Sequence, residues 1–324
     1  MRHVRPVPPR AARGGTAALY RQLEGDFGVL APPIALLTPA PECAAATWVA
    51  LRESLLVDGR TSRAAREAVA TAVSRDNSCP YCVEVHGATL DSLAPDVGTH
   101  DQRVRSTGDP VERAELGAVT LTFEHINRLV NVFLPDSPLP DFAPAPVRGP
   151  LRRATGAVIA GDRGSAVPGT SLELLPDTAR RSPVPDDLRW AAGEPRIQRA
   201  LAAAVSAIEQ AGARVLPGTV RGLVHRHLAE HGTGPAGVSP SWAETAVGDL
   251  PAADRPLGRL TLLTARASYQ VGDATVAACR ETGADDATLV RAVSWAAMTA
   301  ARHTVRASSP RTHQTPTENE RNQP

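Results

Sequence analysis

The apolar residues of this 324-residue chain recur at helical spacing and nowhere alternate with period two over a useful length. A half-buried strand needs that alternation, whereas a helix buries a stripe at i, i+3, i+4 and i+7. The pattern predicts an all-α fold. Phe, Tyr and Trp together make up only 3% of the residues, so the core must be built mostly from Ala, Val and Leu. Residues 42–57 (ECAAATWVALRESLLV) are rich in Ala and Leu and stop at Asp58-Gly59, a helix terminator. Thr61-Ser62 offers an N-cap to RAAREAVATAVS, whose Ala65, Ala68, Val69, Ala72 and Val73 repeat at helical spacing. A third helix is expected from near Ser78, with Pro80 tolerated in its first turn. A long helix is expected over 111–134, and further helices over 195–212, 217–231, 257–282 and 285–305.

Residues 135–150 (PDSPLPDFAPAPVRGP) hold six prolines in sixteen positions. Such a stretch neither continues a helix nor pairs as a central strand, and it reads as a linker. It divides the chain into a module at 17–134 and a second helical module at 151–306. Residues 1–16, basic and free of acids, read as a flexible arm, and the polar residues 307–324 as a disordered tail. Residues 41–59 and 195–213 share length, Ala content and a nearby terminal Gly, which is consistent either with an internal duplication or with the chance likeness of Ala-rich helices.

The 35 basic and 34 acidic side chains leave a formal net charge of +1, which removes the electrostatic case for nucleic-acid binding. No apolar run approaches the roughly 18–20 residues that span a bilayer. Every basic residue is Arg, so Schiff-base and P-loop lysine chemistry are excluded. The N-terminus lacks both the apolar stretch of a secretory signal and an Arg-Arg pair. The expectation is a cytoplasmic location, where structural disulfides are rare.

Of the four cysteines, Cys43 and Cys279 stand alone in Ala-rich helical patterns and read as small buried apolar residues. Cys79 and Cys82 lie in Ser78-Cys79-Pro80-Tyr81-Cys82-Val83-Glu84-Val85-His86. In a reducing compartment a Cys-x-x-Cys is redox-active or metal-binding rather than structural. The pair falls at an expected helix N-terminus, where the dipole favours a thiolate. His86 follows Cys82 by four residues and shares its helix face. Glu67, twelve residues before Cys79, sits on the preceding helix, which can pack alongside. The tetrapeptide CPYC also occurs in glutaredoxins, but that fold needs a hydrophobic strand just before it, and here the preceding segment has a helical pattern.

The arrangement Glu67-x11-Cys79-x2-Cys82-x3-His86 resembles the alkylhydroperoxidase family called AhpD, within the all-helical carboxymuconolactone decarboxylase superfamily. The resemblance covers about 25–134. It extends to Phe123-x3-Asn127-Arg128, which looks like the Asn-Arg ending of peroxidase-related members. Tyr81 stands where the family often has His, as in many peroxidase-related members. Residues 262–286 look like a later part of such modules without a Cys-x-x-Cys, so the second half resembles a degenerate or accessory module. The resemblance implies an AhpD-like helical bundle and thiol-dependent reduction of organic hydroperoxides. Cys82 would attack the O–O bond, Cys79 would resolve the sulfenic acid, and Glu67 and His86 would relay protons. An unidentified thiol or dithiol would regenerate the pair, with no cofactor and no metal. Family members usually oligomerise through helical faces, so a homo-oligomer, or its internal imitation, is expected.

Two arguments pull apart on the attacking sulfur. The helix dipole favours Cys79, nearer the N-terminus, while the resemblance and the neighbouring His86 favour Cys82. Rival readings of the motif are a thiol–disulfide exchange protein, a CxxCxxxH zinc site, and a non-catalytic helical binding or scaffold protein. The superfamily's decarboxylase chemistry does not use a cysteine pair. Elsewhere, His227-Leu228-Ala229-Glu230-His231 matches an inverted zincin string, but it reads better as the polar end of a helix before Gly232. Gly156-x4-Gly161 lacks the ending of a phosphate loop. Trp48, Trp190, Trp242 and Trp295 read as core anchors. Asn127 and Arg128 either line the cysteine pocket or form a packing pair.

Overall fold

The computed structural model describes residues 1–94, 108–139, 144–161, 163–164, 166–234 and 237–308, and every regular element among them is helical. The helices are α1 (Gly14–Gln22), α2 (Pro32–Ala35), α3 (Pro41–Leu51), α4 (Arg63–Asp76), α5 (Pro80–Leu93), α6 (Pro110–Phe133) and α7 (Ala145–Ala160). They continue with α8 (Asp177–Arg180), α9 (Pro195–Ala213), α10 (Gly218–His231), α11 (Ser241–Ala246), α12 (Arg255–Ala267), α13 (Asp273–Glu281) and α14 (Asp286–Ser308). The expected starts carry the expected chemistry. Ser62 caps α4 by accepting from the Ala65 N–H at 3.1 Å, and Pro80 occupies the first turn of α5. The segment over 257–282 is broken after Ala267 by a short 3-10 turn at Ser268–Gln270. The rest of it returns to helix as α13.

Three features depart from the sequence reading. The proline-rich stretch is not wholly a linker, because α7 begins inside it. Pro146 falls in the first turn, where a missing N–H costs nothing, and Pro150 removes a single interior backbone bond. What holds α7 in place is Gly156: a Cβ there would stand 2.3 Å from the Ala88 carbonyl oxygen, so only Gly lets α7 lie directly on α5. Residues 1–16 are also not a free arm. Val4 and Ala12 are buried, the Arg2 N–H donates to the Phe133 carbonyl at 2.7 Å, and the Val7 N–H donates to Thr38 Oγ1 at 2.8 Å. Residues 307 and 308 of the expected tail still belong to α14, and the rest of the tail lies outside the described residues. Finally, Trp48 and Trp295 are fully buried anchors, whereas Trp190 and Trp242 are only half-buried.

The helices on the two sides of the proline-rich stretch do not each enclose a core of their own. One apolar cluster joins α1–α6 to inward faces of α12, α13 and α14, through Leu260, Cys279, Val290 and Val293. The other joins α9, α10, α12 and α14 to the opposite faces of α3 and α6, through Ala46, Val49, Ala118 and Leu121. The Ala-rich α3 and α9 lie against each other, as small side chains permit. α6 is the shared axis: it packs on α4, on α14 and on the 3-10 segment Asp186–Gly193. No helix is long and apolar enough to cross a membrane, among the described residues.

Candidate active site

The cysteine turn is built by the way α4 stops. The Cys79 N–H donates to the Ser74 carbonyl at 2.9 Å and the Ser78 N–H to the Arg75 carbonyl at 3.0 Å, the paired closure of a Schellman motif. That closure needs a left-handed residue, and Ser78 supplies it with φ +51°. A non-glycine residue there stores strain of about 1–2 kcal/mol. The same reversal makes Cys79 the N-cap of α5 and puts Cys82 in its first turn. Both thiols are free and buried, Cys79 at 1% and Cys82 at 2% exposure, and Cys79 lies close enough to Cys82 to shift its thiol.

The acid and the imidazole meet as the spacing predicted. Glu67, on α4 and 0% exposed, accepts from His86 across a 2.7 Å contact between Oε2 and Nδ1. Its other oxygen accepts from Arg63 Nε at 2.8 Å. Burial alone would push the Glu67 carboxyl up, but His86 first and Arg63 next outweigh it and hold it below its ordinary value of 4.5. Glu67 is therefore a carboxylate, and with Nδ1 engaged, His86 keeps Nε2 for other work. The ring is braced edge-on by Phe123, with centroids 4.6 Å apart.

His86 and Cys82 line the same cavity, of about 210 Å3. Its walls are otherwise mostly apolar, among them Phe27, Val29, Ile34, Val85, Ile126 and Ile159, with Tyr81 and Thr155 adding hydroxyls. Phe27 is delivered by a wide π-helical turn at Leu23–Phe27, and a second such turn, Arg52–Leu56, follows Leu51 at the cavity edge. Cys79 does not line this cavity. Of the two sulfurs, Cys82 is the one that lines this cavity.

The thiolate expected from the helix dipole is not what the resting site favours. Burial, followed by the hydrogen bond and charge of Cys79, pushes the Cys82 thiol well above its ordinary value. Only Asn127 pulls it back down. The sequence reading of Asn127 left open whether it lines the cysteine pocket or packs, and in the structure it lies beside Cys82. It is fully buried, its Nδ2 donates to Ser74 Oγ at 3.0 Å, and its Oδ1 accepts from Asn77 Nδ2 at 3.4 Å. Asn131 extends the chain to the Asn77 carbonyl and to Ser268 Oγ. The neighbouring Arg128 is structural, donating to Glu124 and to the Ala265 carbonyl. Tyr81 is buried beside the pair, and burial raises its phenol pKa.

The other candidates behave as bulk structure. Burial pushes the Cys43 and Cys279 thiols up to about 12, so neither is a thiolate at neutral pH. His227 and His231 stack 4.4 Å apart at the end of α10. Among the described residues no group of three or more His, Cys, Asp or Glu side chains is placed to hold a metal ion. Gly156 is the helix contact described above.

No family model matches the chain, and no solved structure matches it. It is 35% identical to an alkyl hydroperoxide reductase of Mycobacterium tuberculosis over 327 aligned positions, spanning 93% of this chain and 92% of that protein. Likeness over nearly the whole of both chains extends past the cysteine module into the second half, and with it the chain belongs to the AhpD-like alkyl hydroperoxide reductase family.

Proposed function

We propose that this protein is a thiol peroxidase that reduces organic hydroperoxides, with Cys82 as attacking sulfur, Cys79 as resolving sulfur and Glu67–His86 as proton relay. The observation that carries the reading is the 2.7 Å Glu67–His86 contact beside an apolar cavity that Cys82 and His86 both line. The family membership and the name of the mycobacterial relative support the reaction class.

A buried thiol held above its ordinary pKa needs a base before it can attack. His86 Nε2 takes the Cys82 proton, and the Glu67 carboxylate stabilises the imidazolium that results. The thiolate attacks the distal peroxide oxygen, the O–O bond breaks, and the imidazolium protonates the departing alkoxide. Asn127 offers an N–H to the sulfur as charge develops on it. Cys79, one helical turn away, then displaces hydroxide from the Cys82 sulfenic acid. Water leaves and the Cys79–Cys82 disulfide forms. The apolar walls select the alkyl part of the substrate and keep bulk water off the sulfenic acid. The cycle suits a reducing, cytoplasmic compartment whose thiols reopen the disulfide. The second half serves as an accessory module, α12 and α14 backing the helix that carries Asn127.

The test is a thiol titration under denaturing conditions before and after one equivalent of cumene hydroperoxide. Four free thiols should fall to two, with Cys79 and Cys82 identified as the pair lost. Four thiols remaining after exposure would overturn the reading.

A further inference from the structure

Helix α5 presents its two sulfurs to two separate spaces. Side chains advance about 100° per residue around a helix. Tyr81, Cys82, Val85 and His86 therefore share one side of α5, and all four line the apolar cavity. Pro80, Val83 and Glu84 share the other side. With Cys79, Ser78 and Arg75 they line an open cleft of about 630 Å3 that has no lining residue in common with the cavity. α7 forms part of both walls, through Arg152 on the cleft and Thr155 and Ile159 on the cavity. Among the described residues, Cys82 lines the cavity and Cys79 lines the cleft.

We propose that the hydroperoxide and the reductant use different entrances, and that a low-molecular-weight thiol enters the open cleft and attacks Cys79. The proposal rests on the peroxidase reading and deepens it. Thiol–disulfide exchange requires the incoming sulfur, the attacked sulfur and the leaving sulfur to lie nearly in line. Attack from the cleft on Cys79 Sγ expels Cys82 towards the cavity and the relay, where a departing thiolate finds its proton. Cys79 is only 1% exposed at the cleft floor, recessed between the exposed Ser78 and Pro80. A slender thiol reaches it, and the flat face of a folded dithiol protein does not.

The steps balance. A thiolate R′S⁻ forms a bond to Cys79 Sγ as the Cys79–Cys82 bond breaks. The electron pair leaves on Cys82, which takes a proton delivered through His86. A second R′S⁻ attacks the reductant sulfur of the mixed disulfide, releases R′S–SR′, and leaves Cys79 to be protonated by water. Two thiols are oxidised and one protein disulfide is reduced.

The experiment measures the two half-reactions separately in the full chain. Protein oxidised with diamide, which needs no peroxidase activity, is reduced by 2-mercaptoethanol. Reduced protein is oxidised by cumene hydroperoxide in a single turnover. Both are followed by acid quench, alkylation and mass. Val83→Trp fills the cleft, and Arg75→Trp does so from an exposed position should the first variant melt early. Either should slow reduction by about tenfold or more and leave oxidation within a factor of about two. Thr155→Phe, which narrows the cavity, should do the reverse. The proposal fails if the cleft variants slow both halves alike or neither, if Thr155→Phe slows reduction as much as oxidation, or if thioredoxin outpaces the small thiol. Absence of any thiol loss with cumene hydroperoxide, with normal behaviour in the diamide arm, would instead refute the peroxidase reading.

Discussion

Replacing Glu67 by Gln isolates the relay with little disturbance of shape. The amide oxygen can still accept from His86 Nδ1, across what is now a 2.7 Å charged contact, while the amide nitrogen, a donor, replaces the oxygen that accepts from Arg63. What His86 loses is the charge. A hydrogen bond to an ionised partner contributes about 1.5–3 kcal/mol and a neutral one about 0.5–1.5, so the imidazolium formed when Cys82 is deprotonated loses about 1–2 kcal/mol. At 1.36 kcal/mol per decade, that slows the oxidation half-reaction about 5- to 30-fold near neutral pH. The deficit should narrow as pH rises, because the thiol, pushed up by burial, can then ionise to solvent hydroxide without the relay. Stopped-flow single turnover with cumene hydroperoxide between pH 6 and 10 measures both effects. Thermal melting shows that the fold survives. A variant within twofold of wild type at pH 7, or one whose deficit is the same at every pH, refutes the relay.

Cys82→Ser should abolish single-turnover reduction of cumene hydroperoxide, whereas Cys79→Ser should complete one turnover and stop as a Cys82 sulfenic acid that dimedone traps. The opposite pattern would make Cys79 the attacking sulfur. His125, fully buried with Nε2 3.0 Å from Thr47 Oγ1, is held down to about 3, by burial first and Arg128 second. Because the folded value lies below the ordinary 6.5, the unfolded chain takes up the proton first. The stability this histidine supplies is complete above 6.5 and is lost as pH falls towards 3, by at most about 1.4 kcal/mol per pH unit. His125→Gln should flatten that slope in urea titrations run from pH 7 to 4, and an unchanged slope would refute the assignment. Gly156→Val sets a side chain against the Ala88 carbonyl and should cost about 1–3 kcal/mol in urea denaturation. Unaltered stability would mean that α7 does not need its close seat on α5.

Much of the site was legible because it is local. Glu67 and His86 lie on adjacent helices whose stripes and caps are plain in the sequence, and the Cys79–Cys82 spacing carries its chemistry with it. Asn127 was not legible as a partner of Cys82, since an Asn on a long helix looks the same whether it packs or serves a sulfur. Only the meeting of α4, α5 and α6 puts Asn127 near Cys82. The left-handed Ser78 was hidden for a related reason: nothing in a serine announces positive φ where Gly or Asn is the usual choice. The cavity walls from residues 27–34 and from α7 depend on long-range packing. In α7 the prolines argued for an extended linker, while tolerance of proline in a first turn and the bare surface of Gly156 decided for a helix. Residues 1–16 misled by composition, because a basic segment with little apolar content is still held when its few valines and backbone donors find places on the bundle.

The interleaving of the two apolar clusters bears on how the molecule is made. A nascent chain that has emerged as far as α7 already carries Glu67, Cys79, Cys82, His86 and Asn127, but α6 is still bare on the flank that α14 later covers. Domains of large proteins usually mature in order behind the ribosome. Here α14, made long after α6, completes the packing of the helix that carries Asn127. Assembly of the candidate site therefore waits on sequence far downstream of it, and a product cut short at the proline-rich stretch would carry all five side chains with that flank of α6 left bare.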